Sequence, residues 1–209
     1  MVENKIQEAV EQLLTDEGDS SKNASWSTVG GGSINRCYRV SANSNSLFVK
    51  LNSADAFPGM FEAEALGLEL MQKHSQFQIP KVLKVGQENN TAFLAMEFIE
   101  GGRPAKNYWE QFALNLADMH RHRESKFGLD HHNYIGSLKQ MNNSRETWAS
   151  FYNEMRLEPQ LRMATDSGLA DTSLRRSFDR LFNRMESLFL EEPPALVHGD
   201  LWSGNFMCT

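Results

Sequence analysis

No stretch of this sequence approaches the roughly 20 consecutive apolar residues that a helix needs to cross a bilayer, so a membrane span is not expected. Runs of Lys or Arg are missing too, and the formal net charge is −6. Both features argue against general binding to nucleic acid or to an anionic membrane. Cysteine is scarce: Cys37 and Cys208 stand far apart and in no metal-ligand spacing, which leads to the expectation of a reduced, cytoplasmic protein. The opening Met1-Val-Glu-Asn-Lys5 lacks the apolar segment of a signal peptide, so the sequons at Asn23, Asn89 and Asn142 carry no weight. His131 and His132 have no helical i, i+4 partner or nearby Cys that would make a metal site, and His120 and His122, two apart, would point to different faces of a helix. Internal repeats and low-complexity tracts are also absent. Within these limits, 209 residues, 40% hydrophobic and 23% charged, suit a globular chain that buries its core as one domain or as two small lobes.

What the chain does hold is concentrated in Leu196-Val-His-Gly-Asp-Leu-Trp-Ser-Gly-Asn205. The apolar Leu196 and Val197 are expected to form a strand leading into it. His198, Asp200 and Asn205 reproduce the H-x-D-x-x-x-x-N spacing of a kinase catalytic loop. A hydroxyl attacking a γ-phosphoryl group needs a carboxylate to accept its proton and fix its direction, a role that suits Asp200. The Asn205 amide oxygen can ligate Mg²⁺ without adding a negative charge beside the phosphates. Gly199 stands where protein kinases have Arg, so no cation is present there to meet a phosphorylated loop, which favours a small-molecule substrate. Asp, Asn, Ser and Gly also make ordinary turns; it is the whole ten-residue string that is specific.

Upstream, Ile6, Val10, Leu13 and Leu14 recur at helical spacing and predict a helix from about Asn4 to Glu17. Gly30, Gly31, Gly32 and Ser33 then lie between two β-prone segments. A hairpin tip without side chains lets backbone N–H groups approach phosphate oxygens, although a glycine triplet is equally at home in a plain flexible turn. No Gly-Lys-Ser/Thr follows it, so it is not a Walker loop, nor is it G-x-G-x-x-G. In the next strand, Ser46 to Leu51, alternation places Phe48 and Lys50 on one face and Leu47, Val49 and Leu51 on the other. A Lys in that position resembles the V-A-I-K strand of kinases, although a lysine also guards an edge strand. A helix from about Met60 to His74 offers Glu62, Glu64 and Glu69 as partners for Lys50. Glu64 is chosen because it shares a stripe with Leu68 and Met71. Strands over Ile79–Val85 and Thr91–Glu97, joined by a polar turn from Gly86 to Asn90, lead into Gly101-Gly102, a natural lobe boundary. In kinase-like folds the backbone around Glu97, Phe98 and Ile99 hydrogen-bonds adenine.

Beyond the boundary, a helix from about Asn107 to Arg121 carries Trp109, Phe112 and Leu116, whose aromatics are read as core. Residues 126–142 are read as a loop. A second helix carries Trp148, Phe151, Tyr152, Met155 and Leu161, and a third runs from after Asp171 through Leu188 and Phe189 to the stop at Pro193-Pro194. The fold class is α+β: a sheet-rich N-lobe over residues 1–100 and a helical C-lobe over 101–209.

The string His-Gly-Asp-Leu-Trp-Ser-Gly-Asn resembles the catalytic loop of the fructosamine (ketosamine-3-) kinase family, which has a protein-kinase-like fold. The resemblance extends over nearly the whole chain: Gly30-Gly-Gly-Ser-Ile-Asn, Phe48-Val-Lys-Leu-Asn52, Met60-Phe-Glu-Ala-Glu64, Phe127-Gly through Tyr134-Ile-Gly136, Gln140-Met-Asn142, and Trp148 through Gln160. It implies ATP- and Mg²⁺-dependent phosphorylation of a sugar hydroxyl on a ketosamine, free or protein-bound, linked to removal of sugar adducts from proteins. It also implies roles for individual residues. Asp200 is the base, Asn205 the metal ligand, and Lys50 with Glu64 the phosphate-holding pair under the Gly30–Ser33 loop. His198 and Trp202 belong to the substrate side, where Trp202 serves either as a stacking surface or in packing. A choline- or aminoglycoside-type kinase fits the fold, but Leu201-Trp-Ser203 argues against it.

One departure stands out. Kinases of this architecture carry a second acidic metal ligand after a further strand pair, and here only Phe206-Met-Cys-Thr209 follows Asn205. The expectation is a family member cut off after its catalytic loop, with an incomplete C-lobe. Phe206 and Met207 would begin an unpaired strand. The chain would then be weakly active or an inactive nucleotide- or sugar-binding remnant, and prone to self-association through exposed apolar surface.

Overall fold

The computed structural model describes residues 2, 4–14, 24–30 and 34–209. The chain divides into two compact units, Met1–Met119 together with His198–Thr209, and His120–Val197.

The first unit is built on an antiparallel sheet of β1 (Ser25–Val29), β2 (Arg36–Ala42), β3 (Asn45–Ser53), β4 (Val82–Glu88) and β5 (Thr91–Glu97), in the order β1-β2-β3-β5-β4. β3 lies at its centre, and its alternation decides both cores. Leu47, Val49 and Leu51 are buried with Val40, Phe93 and Ala95 against Ile6, Val10 and Leu14. The last three come from α1 (Asn4–Glu11) and the 3₁₀ turn Gln12–Leu14 that ends it. On the opposite face Leu94 and Met96 meet Phe61 and Ala65 of α2 (Met60–His74), with Phe48 and Leu68 at the margin. Side chains withdrawn from water this completely, such as Val49, Leu51 and Leu94, contribute roughly 1.5–3 kcal/mol each. Two-residue turns at Asn43-Ser44 and Asn89-Asn90 close the hairpins. Asn43 (φ 53°) and Asn89 (φ 49°) take the left-handed backbone that Asn tolerates better than most residues.

Several expectations shift here. α1 ends six residues before Glu17, and residues 15–17 lie outside the described ones. β4 starts at Val82 rather than Ile79, since Pro80 has no N–H to give a ladder and the register slips between Val82 and Lys84. Gly86, expected in the turn, lies inside β4, where a Cβ would sit 2.6 Å from the Phe93 ring. α3 (Tyr108–Met119) buries only Met119, and Trp109 is 66% exposed. Its aromatics are therefore not core: Tyr108, Trp109 and Phe112 cover one another and Phe206 at centroid distances of 4.9–6.1 Å. Phe206 thus begins no strand. It packs in this cluster, while the Gly102 N–H donates to the Cys208 carbonyl at 2.8 Å.

The second unit opens with a small hairpin, β6 (Asn133–Ile135) and β7 (Leu138–Gln140), inside the segment read as loop. Gly136 turns it at φ 57°. The buried Asn142 pins this hairpin: its amide donates to the His131 carbonyl and to Asn133, and its oxygen accepts from Arg156 at 2.7 Å. The expected second helix is three pieces, α4 (Trp148–Tyr152), a π-helical turn Asn153–Leu157, and α5 (Glu158–Asp166). Pro159 in the first turn of α5 cannot donate to the i−4 carbonyl, which favours the wider winding just before it. α6 (Thr172–Phe182) starts at Asp171, whose carboxylate accepts from the Leu174 N–H at 2.8 Å and is held below its usual pKa by that bond. The third helix does not continue to Phe189: an Arg184-to-Leu181 bond tightens the chain before the short α7 (Met185–Leu188). Leu196 and Val197 form no strand. Ala195 makes a single bridge to Arg123, and Leu196 N–H donates to the His122 carbonyl. No helix among the described residues is long and apolar enough to cross a membrane.

Candidate active site

The sheet register places Lys50 opposite Cys37 on β2 and Leu94 on β5, and Phe48 opposite Arg39 and Met96. Cys37, Arg39, Phe48 and Lys50 therefore share one face. α2 packs on that same face through Phe61 and Ala65 and delivers Glu64, whose Oε1 lies 2.5 Å from Lys50 Nζ. Glu62 and Glu69 point to solvent, which is why Glu64 is the partner. The two side chains are 24% and 27% exposed, so the ammonium is fixed in direction yet reachable. Cys37 is a neighbour that sequence reasoning missed, although the pairing of β2 with β3 could have found it. Burial pushes its thiol pKa up, with the Lys50 charge opposing and the Glu64 charge reinforcing.

Of the glycine-rich stretch, Gly30 is exposed with open space where a Cβ would lie. Gly31, Gly32 and Ser33 lie outside the described residues. At the far end of β5, Glu97 N–H donates to the Lys81 carbonyl at 2.9 Å, and the Glu97 carboxylate accepts from Lys81 N–H at 3.4 Å. Phe98 follows with its ring 6.4 Å from that of Phe48, and Ile99 is partly buried beside it.

His198 to Asn205 belong to the same compact unit as Lys50. Gly199 has φ 82°, a conformation that would cost an L-residue roughly 1–2 kcal/mol. The glycine is thus required by the backbone. Asn205 closes the loop three ways: its N–H donates to the Trp202 carbonyl at 2.9 Å, and its side-chain NH₂ donates to the Asp200 carbonyl at 2.8 Å and to Asp200 Oδ2 at 2.9 Å. Both amide hydrogens are spent on Asp200, which turns Asn205 Oδ1 away and leaves it open to a cation. Asp200 itself is exposed and keeps its second oxygen. The Trp202 indole lies over Gly204, where any Cβ would strike the ring, and remains 56% exposed. His198 accepts from the Asp200 N–H through Nδ1 at 3.3 Å.

Burial lowers the His198 pKa from its ordinary 6.5, and the Asp200 charge only partly opposes this. The ring is neutral in the folded protein at pH 7, as its acceptor role requires. A depressed folded pKa contributes stability that is present above the unfolded value and lost as pH falls through the folded one. An NMR titration is expected to place the His198 midpoint below 6.5, with the Asp200 amide resonance moving in step. A midpoint at or above 6.5 would contradict the buried, hydrogen-bonded ring.

The donors available for a metal are hard oxygens, which suit Mg²⁺. Among the described residues no group of three or more His, Cys, Asp or Glu side chains could hold a metal, and Asn205 offers a single neutral oxygen. Mg²⁺ commonly binds in this way, through few protein ligands plus substrate phosphates.

Residues 5–209 match the model of the fructosamine kinase family. The chain belongs to that family. Among fructosamine kinase relatives, a protein-ribulosamine 3-kinase, chloroplastic, of Arabidopsis thaliana is 35% identical over 204 residues, covering 95% of this chain and 62% of that protein. The chain therefore spans a little over three fifths of that relative's length. A Thermobifida fusca protein provisionally described as a fructosamine-3-kinase is similar in structure with a TM-score of 0.76 at 35% identity, over 89% of this chain and 65% of that one. The aminoglycoside phosphotransferase APH(4)-Ia, solved with AMP-PNP and hygromycin B, shares the fold alone: TM-score 0.52 at 13% identity, over 86% of this chain and 59% of the other. The kinase-like α+β fold expected of this fructosamine kinase family member is thereby established.

Proposed function

We propose that the protein is an ATP-dependent phosphotransferase that phosphorylates a sugar hydroxyl of a ketosamine, free or attached to a protein amine. The observation that carries this reading is the presence in one compact unit of two preformed pairs, Lys50 with Glu64 and Asp200 with Asn205. Lys50, oriented by Glu64, binds the α- and β-phosphates. The backbone from Glu97 to Ile99 takes the adenine edge. Asn205 would hold Mg²⁺, which neutralises charge on the phosphates when bound. Asp200 accepts the hydroxyl proton as the sugar oxygen bonds to the γ-phosphorus and the bond to the bridging oxygen breaks, releasing ADP. His198 fixes the Asp200 backbone through a neutral ring, and the exposed face of Trp202 offers the sugar an apolar surface. The two well-separated thiols fit a reducing compartment such as the cytoplasm.

Calorimetry with Mg-ATP, followed by transfer of labelled γ-phosphate to a ribulosamine-modified lysine in a chain extended to the length of the curated relatives, tests the reading. Saturable binding and label on the sugar are expected. Binding without transfer in the extended chain would leave a nucleotide-binding protein in place of a kinase.

A further inference from the structure

We infer that Arg39 is a positioning residue for the nucleoside half of the nucleotide, clamping β2 to the linker that follows β5. The inference rests on the nucleotide reading above. In that reading Lys50 marks the phosphate end of this sheet face. Moving from Lys50 to Phe48 advances about 6.6–6.8 Å along β3, and the register runs that way from Leu94 to Met96 on β5, toward Glu97 and the linker. A nucleotide with its phosphates at Lys50 therefore lays its base along Phe48 toward Phe98.

Arg39 stands opposite Phe48 on that face, and its side chain touches three residues on two separate pieces of chain. Its Nε donates to Ser46 Oγ on β3 at 3.3 Å. Its guanidinium carbon lies 4.3 Å from the centre of the Phe98 ring, the stacking geometry of a cation over an aromatic face. Its Nη1 reaches Glu100 Oε2 at 3.1 Å. A planar group with fixed donors can make all of these contacts at once, which a lysine ammonium cannot. The Arg39 and Glu100 side chains are 38% and 72% exposed, and an ion pair so open to water adds little to stability. What the arrangement does determine is position. One side chain thus holds β2 (Arg36–Ala42) against the segment that meets the base.

The test uses two probes, Mg-ATP and magnesium tripolyphosphate, which share the phosphates and differ in the nucleoside. Arg39→Ala is expected to weaken Mg-ATP about fivefold or more and to leave tripolyphosphate within about twofold. Arg39→Lys keeps a charge toward Glu100 but loses the planar stack, and is expected to recover part of the loss. Glu100→Gln, a change at an exposed side chain that leaves folding untouched, should show the same ligand pattern at smaller size. Unchanged Mg-ATP affinity in Arg39→Ala, or equal loss of both probes, sinks the clamp alone. A parent chain that binds neither probe sinks the nucleotide reading and the clamp with it.

Discussion

The Asp200→Asn variant is expected to lose phosphotransfer by a factor on the order of 10²–10⁴, the usual cost of removing a general base, with Mg-ATP affinity nearly unchanged. The amide keeps the shape of the carboxylate. It can still accept from the Asn205 side chain, and the bond from that side chain to the residue-200 carbonyl, 2.8 Å in the parent, does not involve the substituted group. The loop therefore stays closed, while the acceptor for the hydroxyl proton and the charge that orients the hydroxyl are gone. Single-turnover measurement on a ribulosamine substrate, in the chain extended to the relatives' length, checks this. A variant that keeps most of its turnover removes Asp200 from the chemistry.

Lys50→Met should act on the other half of the reaction. In the proposed site the substitution deletes the cation that would face the phosphates and leaves the Glu64 carboxylate, formerly 2.5 Å from Lys50, unpaired beside them. Loss of attraction and gain of repulsion point the same way, so Mg-ATP binding is expected to weaken at least tenfold, about 1.4 kcal/mol. Stability should change far less, since a partly exposed pair is worth about 0–1 kcal/mol. Equal affinity of variant and parent by calorimetry would exclude Lys50 from the nucleotide site.

These two residues show what the sequence made legible. Lys50 and Glu64 could be paired on paper because strand alternation and a helical stripe are strictly periodic, and the burial of Phe61 and Ala65 leaves α2 one way to face the sheet. Asp200 and Asn205 were singled out by their spacing, and the structure adds the hydrogen bonds that join them. Features set by local backbone or by neighbours distant in sequence were less legible. Pro80, inside the Ile79–Val85 run, was itself the sign that β4 would start late, and the alternation around it masked that sign. The helical periodicity from Trp148 to Leu161 carried no sign of the π-helical turn before Pro159. The aromatics of α3 have the spacing of a core helix, yet they gather with Phe206, which is nearly a hundred positions away. Gly199 was noticed for the charge it does not carry, whereas its positive φ is what requires it.

The unit that holds the site is discontinuous in sequence: Met1–Met119 is completed by His198–Thr209, with His120–Val197 forming a unit of its own between them. Bringing the returning segment home closes a loop of roughly 80 residues, an entropic cost of about 4 kcal/mol before any constant. Against that stand the Phe206 ring contacts and the Gly102–Cys208 hydrogen bond. Return of this segment is thus a long-range step beside the local antiparallel pairings of the sheet. The face that carries Lys50 and Glu64 is built from Met1–Met119 alone, and can assemble before the segment that carries Asp200 returns to it.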